Sequence, residues 1–590
     1  MNVRPYINEA KSLEENEGQW AAYGSEKNCV ILAGPGSGKT KTITVKIAKI
    51  LEEELCKPQR LACITYSNEC VGELRRRLSK LEVEDRSRVL ISTVHSFALA
   101  EIIRPFAKLT KLQLPSEIKI ATPSQIRKMM NKAYEDVAGH EPGDWFPTAF
   151  DRLRRQCPRK SEEQWREASD ELKDAIVQYE KSLSASGLMD FDGLVIAALR
   201  LVEDHPWVRQ CLKAKFPVLV IDEYQDLGVP LHEIVVALMT KAGVRIIAVG
   251  DPDQSVYGFT GAKPELLRQL SERRDVEDIR LKFNYRCASE IVEASKSLID
   301  DGARMQAHSK HAGSLVIYQA GVDVEGQAQY AFEQVIPELL RQNPSWKRGD
   351  IAFLYRTANV GTSIAAVADS LGLRYSRSDT ASPIKRSRLT NWLADAARWC
   401  AGGWKNGEVS LSQLMKSWRS LRSSLEEGPQ MLDERARIVS FLFGHRDGSL
   451  ALKKWLLGLS ETFIEQLFKN EPGLSEEVDR FTDLVEQAGV GGKLAHFTVE
   501  IFGNHGKHPD QINLMTLHGS KGLEFQAVFM LAVEHNKFPR YRSTQDEIDE
   551  SQRLFYVGVT RAKAWVYLMY MSRESPFITK VRAAMAEDEF

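Results

Sequence analysis

The chain has 590 residues, 43% hydrophobic and 27% charged, the balance of a globular protein several domains long. Its 79 Lys+Arg against 80 Asp+Glu leave a net charge of -1, which excludes a uniformly basic nucleic-acid coat and confines any nucleic-acid site to a local patch or groove. Eight scattered cysteines without a C-x-x-C pair argue against a zinc ribbon, an iron–sulfur cluster and a disulfide framework and fit a reducing cytoplasm; no apolar run nears the ~18–20 residues of a membrane span.

In chain order, Val30–Ala33 is an apolar run that enters Ala33-Gly34-Pro35-Gly36-Ser37-Gly38-Lys39-Thr40, followed by an apolar-periodic helix. The glycines let backbone N–H groups wrap a polyphosphate, Lys39 brings a point charge to the outer phosphates, and Thr40 offers a hydroxyl to Mg²⁺. Position one is Ala33 rather than Gly. A dinucleotide fingerprint fails because Lys39 stands where Gly34-x-Gly36 would need a third glycine. Ala62–Thr65 and Val89–Ser92 read as two more strands. Residues 99–189 are polar, helix-rich and locally basic at Arg152, Arg154, Arg155, Arg159 and Lys160, a cluster expected to face duplex nucleic acid.

Phe216–Ile221 then runs into Asp222-Glu223-Tyr224-Gln225-Asp226, where Asp222 can hold Mg²⁺ through water and Glu223 can orient and deprotonate an attacking water. Val244–Val249 runs into Gly250-Asp251-Pro252-Asp253-Gln254, where Gln254 can sense a γ-phosphate while Tyr257 and Phe259 offer stacking faces to bases. Continuous apolar runs ending in loop chemistry read as parallel strands buried on both faces, with function at their C-terminal ends. A second β/α series starts near Ser314, continues through Asp350–Tyr355, and resumes at Asn513–Leu517, Val528–Ala532 and Trp565–Tyr570. Between its parts lies a helical stretch with amphipathic segments such as LALKKWLLGL. The prediction is an α/β protein of two doubly wound parallel-sheet domains, each interrupted by a helical one: 1–98 with 190–283, insertion 99–189, 284–385 with 507–590, insertion 386–506.

These motifs resemble, in order and over essentially the whole chain, the UvrD/Rep family of superfamily 1 (SF1A) DNA helicases. Gln19 lies where that family has its adenine-reading Q motif. Thr65-Tyr66-Ser67-Asn68-Glu69, Thr93-Val94-His95-Ser96-Phe97 and Asp190-Phe191-Asp192-Gly193-Leu194 are similar to its T-F-T-N, T-F-H-S and D-F-D-D-L. Asn284-Tyr285-Arg286 matches N-Y-R, and Asp350-Ile351-Ala352 with Arg356 resembles D-I-A-V-L-x-R. Leu514 to Phe525, with Thr516, His518 and Glu524, matches motif V. Glu550 to Ala562, with Arg561, matches motif VI.

The resemblance implies two RecA-like domains with insertions (1A/1B/2A/2B) and a cytoplasmic, ATP- and Mg²⁺-using motor on single-stranded or tailed duplex DNA, with no membrane. Catalysis would fall to Glu223, Gln254, Arg286 and Arg561. The two arginines would come from the second α/β domain to the γ-phosphate, where a guanidinium suits charge spread over three oxygens. Nucleotide binding would use Gln19, the loop Ala33 to Thr40, Tyr285 on the adenine and Glu524 on the ribose; Thr40 and Asp222 would hold the metal. The single strand would meet Tyr66, Thr93, His95, Tyr257, Phe259, Thr516 and His518. Three departures stand out: Thr260 replaces an arginine, Ala358 replaces an asparagine, and Asn536 replaces the glycine of the E-E-G-x-F-P turn, where Asn is the next-best residue for a left-handed backbone. The implied activity is 3′–5′ unwinding. The competing expectations are a translocase serving a partner nuclease or repair protein, or stripping proteins, in DNA repair or phage defence, and a scaffold without catalysis.

Overall fold

The computed structural model describes residues 5–587 apart from 82–85, 111, 113, 115–117, 300–304, 309–311, 321–322, 406–408, 423–428 and 507. The chain divides into two units. The first holds residues up to Ala312 together with Arg542–Thr560 and the residues from Ala583 on, and the second holds Gly313–Tyr541 with Arg561–Arg582. The fold is α/β, with one six-stranded parallel sheet in each unit.

In the first unit the strands are β1 (Cys29–Ala33), β2 (Leu61–Thr65), β3 (Val89–Thr93), β4 (Val218–Ile221), β5 (Arg245–Gly250) and β6 (Glu277–Leu281), in the order β3-β2-β4-β5-β1-β6. Their side chains divide by a period of two. Val30, Ala62, Ile64, Leu219, Ile221, Ile246 and Ala248 enter the core on one face. Ile31, Leu61, Cys63, Val218, Val220, Ile247 and Val249 enter the core on the other. β2 and β4 are buried along their whole length, as central parallel strands must be. β6 is a strand the hydrophobic pattern missed. It lies at the sheet edge, where one covered face suffices and EDIRL can carry polar residues.

Helices α1 (Glu17–Gly24) and α2 (Lys39–Lys49) flank β1 in sequence. The first insertion contributes α3 (Pro123–Ala138), α4 (Phe146–Gln156) and α5 (Asp170–Ala185). α3 starts with a Thr122–Gln125 capping box and Pro123 in its first turn, and ends at Gly139 with φ 78°, a full set of start and stop signals. Phe146, Phe150 and Tyr179 fill a core of the insertion's own, which runs from Ala121 to Leu188. The expected boundary at residue 99 is therefore corrected. Ala98, Ile102, Ile103 and Ala107 pack into the α/β core instead. α6 (Phe191–Asp204) returns the chain to that core, its first turn capped by Asp190.

In the second unit β7 (Ser314–Gln319), β8 (Ile351–Tyr355), β9 (Tyr375–Arg377), β10 (Ile512–Thr516), β11 (Phe525–Met530) and β12 (Ala562–Tyr570) run in the order β7-β12-β11-β8-β10-β9. β9, three residues at the edge, was also missed. Residues from Leu389 to Phe502 build a separate helical core around Trp392, Trp418 and Phe463. The turn at Glu534–Pro539 keeps Asn536 left-handed, φ 64°. α7 (Gln545–Val559), though flanked in sequence by β11 and β12, belongs to the first unit. The expected boundary at residue 284 is corrected in the same way: Asn284, Tyr285 and Arg286 belong to the first unit, which continues to Ala312. No helix of the described residues is long and apolar enough to cross a membrane.

Candidate nucleotide site and nucleic-acid track

The strands of the first sheet end their registers at a common edge. Leu32 lies opposite Gly250, Ile64 opposite Ile221 and Thr65 opposite Thr93, so the chemistry-bearing loops after β1, β2, β3, β4 and β5 open on the same side.

After β1 the chain turns through Gly34–Gly38 into α2. Gly36 and Gly38 have φ 69° and 80°, which L side chains rarely adopt, and a Cβ at Gly36 would lie 2.6 Å from Arg286 Cβ. The turn is held from two sides. Gln19, buried in α1, donates through Nε2 to Ser37 O at 2.8 Å, and Tyr285 N donates to Gly36 O at 2.8 Å. Asn16 joins these two sides: Oδ1 accepts from Gln19 N at 3.0 Å and Nδ2 donates to the Tyr285 hydroxyl at 2.9 Å. Gln19, the loop and Tyr285 thus form one interlocked cradle. Asn16 was not singled out from the sequence, although Asn three residues before Gln19 is a helix N-cap signal.

Lys39 leads α2. Its Nζ is hydrogen-bonded to Glu223 Oε1 and lies 3.8 Å from Asp222 Oδ1. Burial would lower the Lys39 ammonium, but the Glu223 and Asp222 carboxylates outweigh it and hold the pKa above its ordinary value. Glu223 is a non-glycine residue at φ 55°, with its N–H on Asp222 Oδ1 at 3.0 Å. Gln225, fully buried, donates to Glu223 Oε2 at 2.5 Å and accepts from Asp251 N at 3.1 Å, a link between two strand-end loops that the sequence reading passed over. Gln254, expected at the phosphate, donates through Nε2 to Asp251 Oδ2 at 2.7 Å within its own loop. Asp251 is pushed up to about 7, first by burial and then by Asp253, against the Gln254 amide and the Asp253 N–H.

The two arginines lie in different units. Arg286, expected from the second domain, stands beside the phosphate loop in the first, with Nη1 3.3 Å from Thr560 O. Arg561, in the second unit, is buried with Nη1 3.4 Å from Leu523 O, and Glu524 beside it pairs with Lys563 at 2.7 Å. α7 reaches the loop after β5 through Arg553 Nε, which donates to Ser255 O at 2.9 Å.

Along the same edge runs a row of rings. Tyr257 stacks on Tyr66 with centroids 5.9 Å apart, Tyr66 meets His95 edge-on at 6.4 Å, and His95 meets Phe191 edge-on at 4.9 Å. Phe191 is 51% exposed and was quoted in a motif without a role. Its signal was legible: a large aromatic in the first turn of α6, outside the helix's buried stripe. Burial lowers the His95 pKa, with Asp192 opposing, so the ring is neutral near pH 7. Thr93 caps the helix Val94–Phe97 through the Ser96 N–H. Phe259 contributes backbone to the turn Gly258–Thr260; its side chain lies outside the described residues. In the second unit Thr516 ends β10, accepting from Gly519 N at 3.1 Å, and His518 opens the next turn. A cavity of about 270 Å³ opens at that sheet's corresponding edge, among Leu354, Arg356, Leu517, Met530, Phe538 and Arg540.

Four of the five residues of the basic cluster are paired with carboxylates. Arg154 is buried, 2.7 Å from Asp190 Oδ2, which also accepts from Tyr179 at 2.8 Å. Arg155 pairs with Asp192 and Asp151, Arg159 with Glu203, Glu233 and Glu162, and Lys160 with Glu180. Carboxylates of the α/β domain and of the insertion itself pair with these four side chains, which together form a strut, while Arg152 is exposed.

A phosphate-wrapping loop before a helix, a carboxylate pair at a strand end on the same edge and a doubly wound parallel sheet define a P-loop nucleotide hydrolase. The model of the UvrD/REP helicase N-terminal domain matches residues 14–275, and that of the UvrD-like helicase C-terminal domain matches 461–573. The chain belongs to the UvrD/Rep-like SF1A family of ATP-dependent DNA helicases. It is 25% identical to the ATP-dependent DNA helicase PcrA of Staphylococcus epidermidis, over 92% of this chain and 81% of the relative. It is equally 25% identical to the ATP-dependent DNA helicase Rep of Buchnera aphidicola subsp. Acyrthosiphon pisum, over 93% of each. PcrA of Staphylococcus aureus is similar at 25% over 94% of this chain and 82% of the relative.

Proposed function

We propose that the chain translocates 3′ to 5′ along single-stranded DNA, fuelled by ATP, and opens duplex ahead of it. The carrying observation is the hydrogen-bonded chain Lys39–Glu223–Gln225–Asp251, which runs from the phosphate loop to the loop that bears Tyr257. Nucleotide chemistry at one end and a base-stacking ring at the other share a few hydrogen bonds. The polarity follows from the family resemblance.

In this reading Gln19 and Tyr285 take the adenine, and the backbone of Gly34–Gly38 with Lys39 takes the phosphates. Glu223 accepts the proton of the water whose oxygen bonds to the γ-phosphorus as the bond to the departing ADP breaks. Arg286 stabilises the charge on the transferred phosphoryl group, and Arg561 is assigned the same task by its motif position. Thr40 and Asp222 suit Mg²⁺, which takes one or two protein ligands and fills its shell with phosphate oxygens and water. Bound there, the ion neutralises phosphate charge. Tyr257, Tyr66, His95, Phe191 and Phe259 stack on successive bases, which is sequence-tolerant because every base has a π-face. Thr93, Thr516 and His518 contact the backbone.

Strand displacement on 3′- and 5′-tailed duplexes tests this. Unwinding of the 3′-tailed substrate alone is the expected result. ATP hydrolysis stimulated by single strands without unwinding of either substrate would leave a translocase that serves a partner, and no stimulation by DNA would sink the motor reading.

A further inference from the structure

We propose that Arg155, on the helical insertion, is a positioning residue that holds the Tyr257 loop and the Phe191 turn at a fixed spacing, and so sets how strongly single-stranded DNA stimulates ATP hydrolysis. The inference rests on reading the aromatic row as the DNA track.

Three contacts carry it. The Arg155 methylenes lie flat on Gly261, where a Cβ would come within 3.0 Å of Arg155 Cδ and 3.1 Å of its Cβ. Gly261 has φ 90° and ends the loop that holds Tyr257; its carbonyl faces Gly228 on another side, 3.1 Å from where a Cβ would stand there. The loop end is thus wedged between the insertion and the start of the helix Val229–Ala237, at a residue that only glycine can be. The Arg155 guanidinium then points the other way. Its Nε donates to Asp192 Oδ2 at 3.0 Å, and its Nη2 lies 3.1 Å from Asp151 Oδ2. Asp192 follows Phe191 directly, and Phe191 is the ring at the far end of the row from Tyr257.

One side chain therefore touches both the loop that bears Tyr257 and the turn that bears Phe191, through different atoms: hydrocarbon on the loop, charge on the turn. A phosphate contact is the other use for an arginine beside a DNA track. The Asp192 and Asp151 carboxylates already hold this guanidinium, so Arg155 acts through the rings.

The test uses the full chain as wild type, Arg155→Met, Asp192→Asn and the double variant. ATPase is measured without DNA and over an oligo-dT titration, with Tm alongside. Met keeps the methylenes and removes the charge; Asn keeps the shape of Asp192. The expected result is a DNA-stimulated rate down roughly five-fold in each single variant, with a raised half-saturating oligo-dT concentration. The DNA-free rate and its KM for ATP stay at wild-type values, and the double variant is no worse than the singles, because both remove one link. Stimulation equal to wild type in Arg155→Met, or in Asp192→Asn if the Met variant does not fold, overturns the proposal. So does a DNA-free rate that falls together with Tm, which is the signature of a purely structural strut. A wild-type chain that oligo-dT does not stimulate removes the track reading itself, a failure distinct from variants that behave as wild type.

Discussion

The nucleotide cradle and the aromatic row occupy the same edge of the same sheet and are built by opposite means. In the cradle the side chains are tied to fixed partners: Gln19 on Ser37, Asn16 on Tyr285, Lys39 on Glu223, Gln225 across to Asp251. The row is held by ring contacts, and its outermost ring, Phe191, is half in solvent. A site for one charged ligand gains from buried, pre-oriented donors, because low dielectric strengthens each of them. A site for any base must stay open and make no sequence-reading hydrogen bond. Changes in the cradle should therefore act steeply on the rate of hydrolysis, and changes in the row should act in graded fashion on DNA affinity.

The largest expected effect breaks the foundation under the row. Arg154→Met removes the buried partner of Asp190, which caps α6 just before Phe191. A buried carboxylate left unpaired should cost about 3–5 kcal/mol, read as a lower urea midpoint. Burial alone would raise the Asp190 pKa, but Arg154 and the Gly193 and Tyr179 hydrogen bonds hold it below the ordinary value. The native state thus binds fewer protons there than the unfolded chain. The stabilisation is present above the unfolded pKa, about 3.9, and is lost as pH falls through the lower folded one. An unchanged midpoint in Arg154→Met would mean the strut carries no load.

Next comes the cradle. Glu223→Gln keeps Lys39 and the phosphate loop but removes the proton acceptor, so hydrolysis should fall roughly 10²-fold or more while ATP still binds. Single-turnover kinetics with bound ATP decide this; a rate near wild type removes Glu223 from the base role.

In the row, Phe191→Ala should weaken single-strand binding by about 1–3 kcal/mol, measured by fluorescence anisotropy at fixed salt. If DNA affinity does not move, the row ends at His95 and the contrast between the two sites narrows. A last effect is one of pH. Asp251, raised to about 7, binds a proton in the native state that the unfolded chain has released. Its contribution to stability is present below the ordinary pKa of about 3.9 and declines as pH rises through about 7. Asp251→Asn should flatten that part of the stability curve; an identical slope in wild type and variant would show that Asp251 titrates normally.

The legibility of these parts follows their physics. Central strands must be apolar on both faces, so β1, β2, β4 and β5 could be read within a residue or two, whereas edge strands β6 and β9 carry polar residues and could not. The phosphate loop was legible because its geometry demands glycine at Gly36 and Gly38. The partners of Arg154, Arg155 and Arg159 were not, because a run of positive charge looks the same whether it faces phosphate or a carboxylate 36 to 74 residues away.

By itself, then, the sequence determined the two parallel sheets, the position of the phosphate loop and the acidic pair, because each rests on residue types forced by local backbone or burial; the family came from the order of its motifs. Only the tertiary structure decided which residues meet. It put Arg286 and α7 in the first unit, turned Gln254 onto Asp251, gave Gln225 the link to Glu223, and converted most of the basic cluster into a strut. Those outcomes depend on hydrogen-bond and ion-pair partners far apart in the chain, chosen by packing, and no local pattern encodes which donor a buried carboxylate will find.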